Sequence, residues 1–317
     1  MPKLDVFQPA QVFSSEPPDF SSPAYRLLAE GDSWFSIGAL NPLRNSNLLF
    51  EMVFRKSGCA VNCASPGDTL KRMSNINTDR NFIDLLCGHR QRLWDGLLIS
   101  CGGNDLIEAV GSPAIDAQGQ TVPLDRRLLR VEAEWSAIEL GPRRYLSDEG
   151  WETFSGYLRA NFEHLLMLRD QGLSRGAPVF VHGYAFPTPR PAGAGFGMGP
   201  WLLPSLQRFG IPPADHVLVA HELVKRLGSL LGEMADDPGR FPNMHFFDST
   251  TVPIEPALPE ATGVSGDWVN EIHLTRTGYR KLGVSWAAQI EAVLQGDAPV
   301  GVPAEVRTET PVSIDGG

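Results

Sequence analysis

Five short apolar segments recur along the chain, and each is followed by glycine or polar residues and then by a stretch with helical periodicity. These segments are residues 25–29, 60–64, 96–100, 178–182 and 244–247. Strands that alternate with amphipathic helices are typical of βα units, in which helices cover both faces of a parallel sheet. The pattern therefore predicts an α/β fold built on one five-stranded parallel sheet.

Four stretches place apolar side chains on one face at helical spacing, and we predict a helix in each. They cover residues 41–58, 151–172, 215–234 and 275–294, and the first of them ends at Gly58, a usual helix stop. Two longer stretches, 106–150 and 185–214, follow the third and fourth strands. Loops in that position lie over the ligand crevice of such a sheet, so they are candidate substrate walls or lids, with surface decoration or a dimer contact as the alternative.

The length of 317 residues suits one elaborated domain about as well as two small ones. We favour one domain, at 24–295, with insertions at 106–150 and 185–214. Residues 1–23 are interpreted as an N-terminal extension. Residues 296–317 lack periodicity and are interpreted as a flexible C-terminal tail.

The charge balance and the apolar content limit the partners of the protein. A formal net charge of −10 without a basic stretch argues against nucleic acid as a partner. The N-terminus has no signal-peptide pattern and no segment reaches membrane-spanning length, so we expect a soluble, cytoplasmic protein without integral membrane association. The four cysteines, Cys59, Cys63, Cys87 and Cys101, form no C-x-x-C pair and are expected to be reduced thiols without a metal.

Several common catalytic motifs are absent from the sequence. There is no G-x-x-x-x-G-K-[ST] loop, and GAGFGMG at 193–199 misses the G-x-G-x-x-G spacing, which argues against the usual nucleotide cradles. HELVK at 221–225 lacks the second histidine of a zinc helix. No G-x-S-x-G elbow is present, which argues against the usual α/β-hydrolase arrangement.

Polar residues follow the predicted strands at the points where the strands end. Ser33 follows the first, Gly67 the second and Asn104 the third, while His273 comes after the fifth. Because the carboxyl ends of parallel strands share one edge, these residues are expected to converge. Acyl transfer needs such a set: a serine nucleophile, an imidazole base and preorganised N–H donors for the oxyanion.

Each of these residues also has an ordinary structural explanation. A serine after a strand is commonly a helix N-cap, Asn104 follows two glycines in a turn-like composition, and His273 could be a surface histidine. The joint occurrence of all four in this order favours one site.

Four blocks of sequence resemble those of the SGNH hydrolases, also called GDSL-type esterases and lipases. GDSW, SPGDT, GGND and NEIHLTRTGY occur in the family order over residues 30–279. The resemblance implies a flavodoxin-like three-layer sandwich with strand order 2-1-3-4-5 and no metal or organic cofactor. It makes Ser33 the nucleophile and, through its N–H, an oxyanion donor together with Gly67 and Asn104; His273 becomes the base, and Asp32 braces the loop.

One departure from the family pattern lies three residues before the histidine, where the family carries an aspartate and this chain has Asn270. Replacing the aspartate of a serine-protease triad by asparagine lowers turnover by about 10⁴-fold. Asn270, Asp267, Glu271, Asp248 or a backbone carbonyl are the candidates to orient His273.

The leading hypothesis is a serine esterase that cleaves a small-molecule or acylated ester through an acyl-enzyme. Tyr184 and Trp201 are candidate substrate contacts, whereas Trp34 is expected in the core. The alternative, motivated by Asn270, is a non-catalytic or weakly active protein of the same fold that binds a ligand or partner. The oligomeric state is not predicted.

Overall fold

A six-stranded sheet whose neighbouring strands are all parallel forms the centre of the molecule. The computed structural model describes residues 1–37, 46–195 and 197–296. The strands are β1 (Asp5–Phe7), β2 (Tyr25–Gly31), β3 (Gly58–Asn62), β4 (Gly96–Ser100), β5 (Val179–His182) and β6 (Met244–Phe247). Their order across the sheet is β1-β3-β2-β4-β5-β6.

The five predicted strands are present in the order that the resemblance implies, so the predicted α/β fold class is confirmed. The strand count is one short, because β1 pairs in parallel with β3 at the edge of the sheet. β1 has only three residues, which is too short for a strand pattern to be recognised in the sequence.

Helices cover both faces of this sheet. Successive residues of β2, β3, β4 and β5 are almost all buried, which requires a covering layer on each side. The helices are α1 (Pro9–Val12), α2 (Ser33–Ser36), α3 (Leu48–Glu51), α4 (Leu70–Met73), α5 (Arg80–Leu86), α6 (Gly103–Gly111), α7 (Asp148–Gln171), α8 (Leu203–Arg208), α9 (His216–Ala235) and α10 (Arg276–Leu294). The predicted helices at 151–172, 215–234 and 275–294 are confirmed as α7, α9 and α10.

The predicted helix over 41–58 is wrong for the part of it that the structure describes. Residues 41–45 lie outside the described residues, and beyond them only the single turn α3 is helical. Met52 is extended at the end of that turn, and its carbonyl accepts the N–H of Leu4. A Cβ on Gly283 of α10 would lie 2.9 Å from the backbone of Glu51, so the chain is held close beneath α10 and leaves the helical path.

Three other predictions concern the cysteines, membrane passage and the tail. All four cysteines are unpaired, and Cys59, Cys63 and Cys101 are buried, which confirms the expected thiols. Within the described ranges, none of the helices combines the length and the apolar character needed to cross a bilayer. The tail predicted at 296–317 lies outside the described residues except for Gly296.

Candidate active site

Ser33 lies where β2 ends and the short helix α2 begins. Asp32 is the N-cap of this helix, and its Oδ1 accepts the N–H of Trp34 at 2.9 Å. The helix-cap explanation for Ser33 is therefore wrong, since the preceding residue provides the cap. A Cβ on Gly31 would lie 2.7 Å from the Cβ of Ser100, so a glycine is required here for the close approach of β2 to β4.

The imidazole of His273 connects Ser33 to Asn270. His273 Nε2 lies 2.7 Å from Ser33 Oγ, and His273 Nδ1 lies 3.0 Å from Asn270 Oδ1. All three residues are buried, so these contacts are shielded from competing water. The structure thus brings Ser33 and His273 together as expected, although 240 positions separate them. Of the candidates to orient His273, it places Asn270 at Nδ1.

The hydrogen bonds around Asn270 determine which nitrogen of His273 carries the proton. Asn270 Oδ1 accepts the backbone N–H groups of Ile272 at 3.1 Å and of His273 at 2.9 Å, which fixes the orientation of the amide. Because this oxygen can only accept, the contact at Nδ1 requires a proton on Nδ1. Nε2 is then unprotonated in the neutral ring and accepts the Ser33 hydroxyl.

Burial lowers the pKa of His273 from the usual 6.5 to about 4. Removal from water disfavours the charged imidazolium, and neutral Asn270 offers no charge to offset this. The ring is therefore neutral near pH 7, as a general base must be before it accepts a proton.

The other carboxylates considered as partners of His273 are bound elsewhere. Asp267 Oδ2 accepts Lys281 Nζ at 2.6 Å and the N–H of Glu255 at 2.8 Å. Asp248 Oδ1 accepts the N–H of Thr250 at 2.9 Å and so caps a short 3₁₀ turn. Asn270 is thus the residue that contacts the ring nitrogen.

Asp32 is fully enclosed and accepts several hydrogen bonds from its surroundings. Besides the Trp34 N–H, it accepts the Ser100 hydroxyl at 2.8 Å and the Tyr184 hydroxyl at 2.5 Å. Burial raises the pKa of Asp32 to about 6, and these donors oppose the rise. Tyr184 is consequently part of the support beneath Ser33, with its ring edge-on to Trp34.

Trp34 joins the Ser33 turn to the loop that carries the histidine. Its indole N–H donates to the carbonyl of Ile272 at 3.0 Å, one residue before His273. The ring is buried, as expected for a core residue, and packs edge-on against Tyr279 of α10. Core packing and the alignment of Ser33 with His273 therefore depend on the same side chain.

Asn104 and Gly67, the other two predicted oxyanion donors, lie in the first turn of α6 and on the loop after β3. Asn104 Nδ2 donates to the carbonyl of Asp68 at 3.0 Å, which joins the end of β4 to the loop after β3. Gly67 precedes Asp68 on that loop, is exposed, and has φ +84°, a left-handed conformation that favours glycine. Asn104 lines the same cavity as Ser33, whereas the approach of Gly67 to a substrate stays a prediction.

Glu271 fixes the loop that was predicted as a wall or lid, a role that the sequence did not reveal. Its buried carboxylate accepts the backbone N–H groups of Leu202 and Leu203 at 2.8 Å each, and also that of Trp201. The Trp201 ring packs edge-on against His273, with 5.4 Å between ring centroids. The segment around residues 201–203 is thus a fixed wall beside the imidazole.

Replacing Glu271 by glutamine should lower the free energy of unfolding by about 1–3 kcal/mol. The reason is that an NH₂ group would replace one of the carboxylate oxygens that accept backbone N–H groups in the wild-type protein. Urea denaturation measures this loss. Glu255→Gln, an exposed substitution of the same chemistry, is the control and should be neutral. Equal stabilities for the two variants would contradict the role assigned to Glu271.

One group of three carboxylates in the described part of the chain lies close enough to share a cation. Oxygens of Glu30, Asp68 and Asp79 all lie within 4.8 Å of one another. Burial raises the pKa of Glu30 well above its usual range, and Asp79 beside it raises that pKa further. Burial and the neighbouring Asp79 thus favour the uncharged form of the Glu30 carboxyl, which makes it a poor cation ligand, and we assign no metal or cofactor to the group.

Comparison with known proteins gives matches only among solved structures. No family model matches the chain, and no curated protein sequence matches it. Forty-one chains of solved structures match. An extracellular lipase from Streptomyces rimosus is 16% identical over 87% of this chain and 100% of its own, with a TM-score of 0.43.

Two other matches have similar values. Est24, a carbohydrate acetylesterase from Sinorhizobium meliloti, is 15% identical over 85% of this chain and 99% of its own, with a TM-score of 0.43. A phospholipase A1 from Streptomyces albidoflavus NA297 is 13% identical over 86% of this chain and 99% of its own, with a TM-score of 0.40. These identities are too low to transfer an activity or a substrate, so the function proposed below depends on the contacts around Ser33.

Proposed function

We propose that this protein hydrolyses carboxylic esters of small molecules, with Ser33 as the nucleophile. The observation that carries the proposal is the buried chain of contacts from Ser33 Oγ through His273 to Asn270, at 2.7 and 3.0 Å. A serine hydroxyl against an unprotonated imidazole nitrogen is the arrangement that activates serine for attack.

In the first step, Ser33 Oγ attacks the ester carbonyl carbon and its proton passes to His273 Nε2. The carbonyl oxygen becomes an oxyanion, for which the Ser33 N–H, the Gly67 N–H and the Asn104 amide are the proposed donors. The imidazolium then gives its proton to the leaving alkoxide, which departs as the alcohol and leaves an acyl-enzyme on Ser33.

In the second step, a water molecule takes the place of the alcohol. His273 Nε2 accepts a proton from this water as it attacks the acyl carbonyl, and the proton returns to Ser33 Oγ when the acid is released. Asn270 holds the ring in position throughout through its carbonyl oxygen. It brings no negative charge to the imidazolium, so each step through that cation is expected to be slower than beside an aspartate.

Labelling with a fluorophosphonate tests the proposal directly, because such reagents bond covalently to activated serines. We expect one label per chain by intact-protein mass, located at Ser33 by peptide mapping, and none in Ser33→Ala. Thr69→Ala is a control near the site that leaves Ser33 and His273 in place and should label normally. An unmodified wild-type protein would instead favour a ligand-binding protein of this fold, the alternative that the neutral Asn270 suggests.

A further inference from the structure

A narrow apolar cavity opens beside Ser33 and lies between α6 and α9. Its walls include Leu106 and Ile107 of α6 and Ala220, Leu223, Val224 and Leu227 of α9. Two of the polar groups on the lining are already paired, since the Tyr184 hydroxyl donates a hydrogen bond to the Asp32 carboxylate. The cavity therefore suits an apolar group and offers little to a charged one.

The position of His273 decides which part of an ester would enter this cavity. The leaving oxygen must receive its proton from His273 Nε2, so the alcohol part lies on the imidazole side, near the Trp201 ring. Within the described part of the chain, Ser33 and Asn104 line the cavity, and Trp268 and Ile272 of the histidine loop close one end of it, whereas the His273 ring is not part of the lining. The acyl part, on the other side of the attacked carbon, then points between α6 and α9.

The size of the cavity limits the length of that acyl part. Its volume is about 50 Å³, measured in a way that gives one ordered water molecule about 10–15 Å³. The cavity therefore has room for about four groups, each the size of a water molecule. An acetyl group would leave most of this space empty. A butyryl chain fills it, whereas a dodecanoyl chain exceeds it.

We propose that this cavity is the acyl-binding site and that it selects short unbranched acyl chains near butyryl over both acetyl and long-chain groups. The inference rests on the proposed ester hydrolysis at Ser33 and adds its substrate class. The alcohol part remains outside the cavity.

A series of 4-nitrophenyl esters that share one alcohol tests the inference through kcat/KM. Each methylene that enters the cavity should raise kcat/KM about 4-fold, or about 15-fold from acetate to butyrate. Octanoate and dodecanoate should then fall below butyrate, because their remaining carbons find no room. In a second series, the butyryl group is kept and the alcohol is varied. Here kcat/KM should not rise by a constant factor with each added carbon.

Two variants of α9 alter the cavity in opposite directions. Ala220→Phe fills it and should remove the preference for butyrate over acetate. Leu223→Ala enlarges it and should raise the ratio of octanoate to butyrate by about 10-fold or more, the value of the carbons it newly accommodates. Leu218→Ala, on an exposed face of the same helix, is the matched control and should change neither ratio. Circular dichroism verifies folding, and either cavity variant alone suffices if the other does not fold.

The outcomes separate this inference from the proposed function. Hydrolysis that depends on Ser33 but is equal for acetate and butyrate, or that keeps its chain-length profile in both cavity variants, would overturn the acyl site and leave the esterase intact. No Ser33-dependent hydrolysis of any ester in the series would overturn both.

Discussion

Ser33→Ala should lower kcat/KM for 4-nitrophenyl butyrate by about 10⁴- to 10⁶-fold, the range found when the nucleophile of a serine hydrolase is removed. The loss should appear in kcat, because the cavity walls that would bind the acyl chain are unchanged. Among the described residues, the hydrogen bond of the Ser33 hydroxyl is to His273, so the free energy of unfolding should change by only about 1 kcal/mol.

Two further variants show whether Ser33 and His273 act as a unit. The double variant Ser33→Ala/His273→Ala should be about as slow as either single variant, since groups that act together in one step are not additive. Ser36→Ala, on the same turn as Ser33, removes a hydroxyl that donates to the Asp32 carbonyl at 2.9 Å and should stay close to wild type. Losses that multiply in the double variant would contradict the mechanism.

The residues that meet at Ser33 could be predicted because sheet topology turns strand order into spatial proximity. Ser33 and Asn104 end neighbouring strands, and parallel pairing alone brings those ends together. His273 follows the last strand by more than twenty positions, so strand order fixes its position less closely, and the resemblance to the SGNH hydrolases gave it the role of base.

The partner of His273 could not be chosen from sequence, because several carbonyls and carboxylates lie within reach of a flexible loop. The choice depends on competing contacts: Asp267 is held by Lys281. Glu271 is held by backbone donors about 70 positions earlier in the chain. Such contacts arise only after the loops pack, and they leave no periodic pattern in the sequence.

The cavity was unpredictable for a similar reason. Leu106 and Leu223 occupy buried faces of amphipathic helices, and apolar periodicity marks both equally as core. Whether two such faces pack completely or leave a gap depends on the distance between α6 and α9. The sequence therefore predicted Ser33 as a candidate nucleophile but not the space beside it.

Replacing Asn270 by aspartate should raise kcat/KM at pH 8 by about 10- to 100-fold. This gain is smaller than the loss of about 10⁴-fold that follows when the aspartate of a protease triad is replaced by asparagine. That loss comes largely from the wrong histidine tautomer. Here Asn270 Oδ1 is already fixed by the N–H groups of Ile272 and His273, which places the proton on Nδ1. The variant gains only the attraction between a carboxylate and the imidazolium that forms during reaction.

Asn270→Ala is the variant to compare with Asn270→Asp, because it removes the side-chain acceptor altogether. It removes the acceptor at Nδ1 and two backbone contacts, so kcat/KM should fall and the free energy of unfolding should decrease by about 1–3 kcal/mol. If Asn270→Asp and Asn270→Ala both lower kcat/KM by a similar factor, the missing negative charge at position 270 does not limit the rate of the wild-type protein.

The pH dependence of Asn270→Asp separates a change in charge from a change in structure. Wild-type kcat/KM should rise with pH through the His273 pKa of about 4, because the base works only when neutral. A carboxylate at position 270 favours the imidazolium and should raise that pKa by about 1–3 units. At pH 5 the variant is then partly protonated and loses its advantage, whereas at pH 8 it is faster. Asp32, with a pKa of about 6, is present in both proteins, so it does not account for a difference between their profiles. An acid limb at the same pH in both proteins would show that the carboxylate does not reach His273 Nδ1.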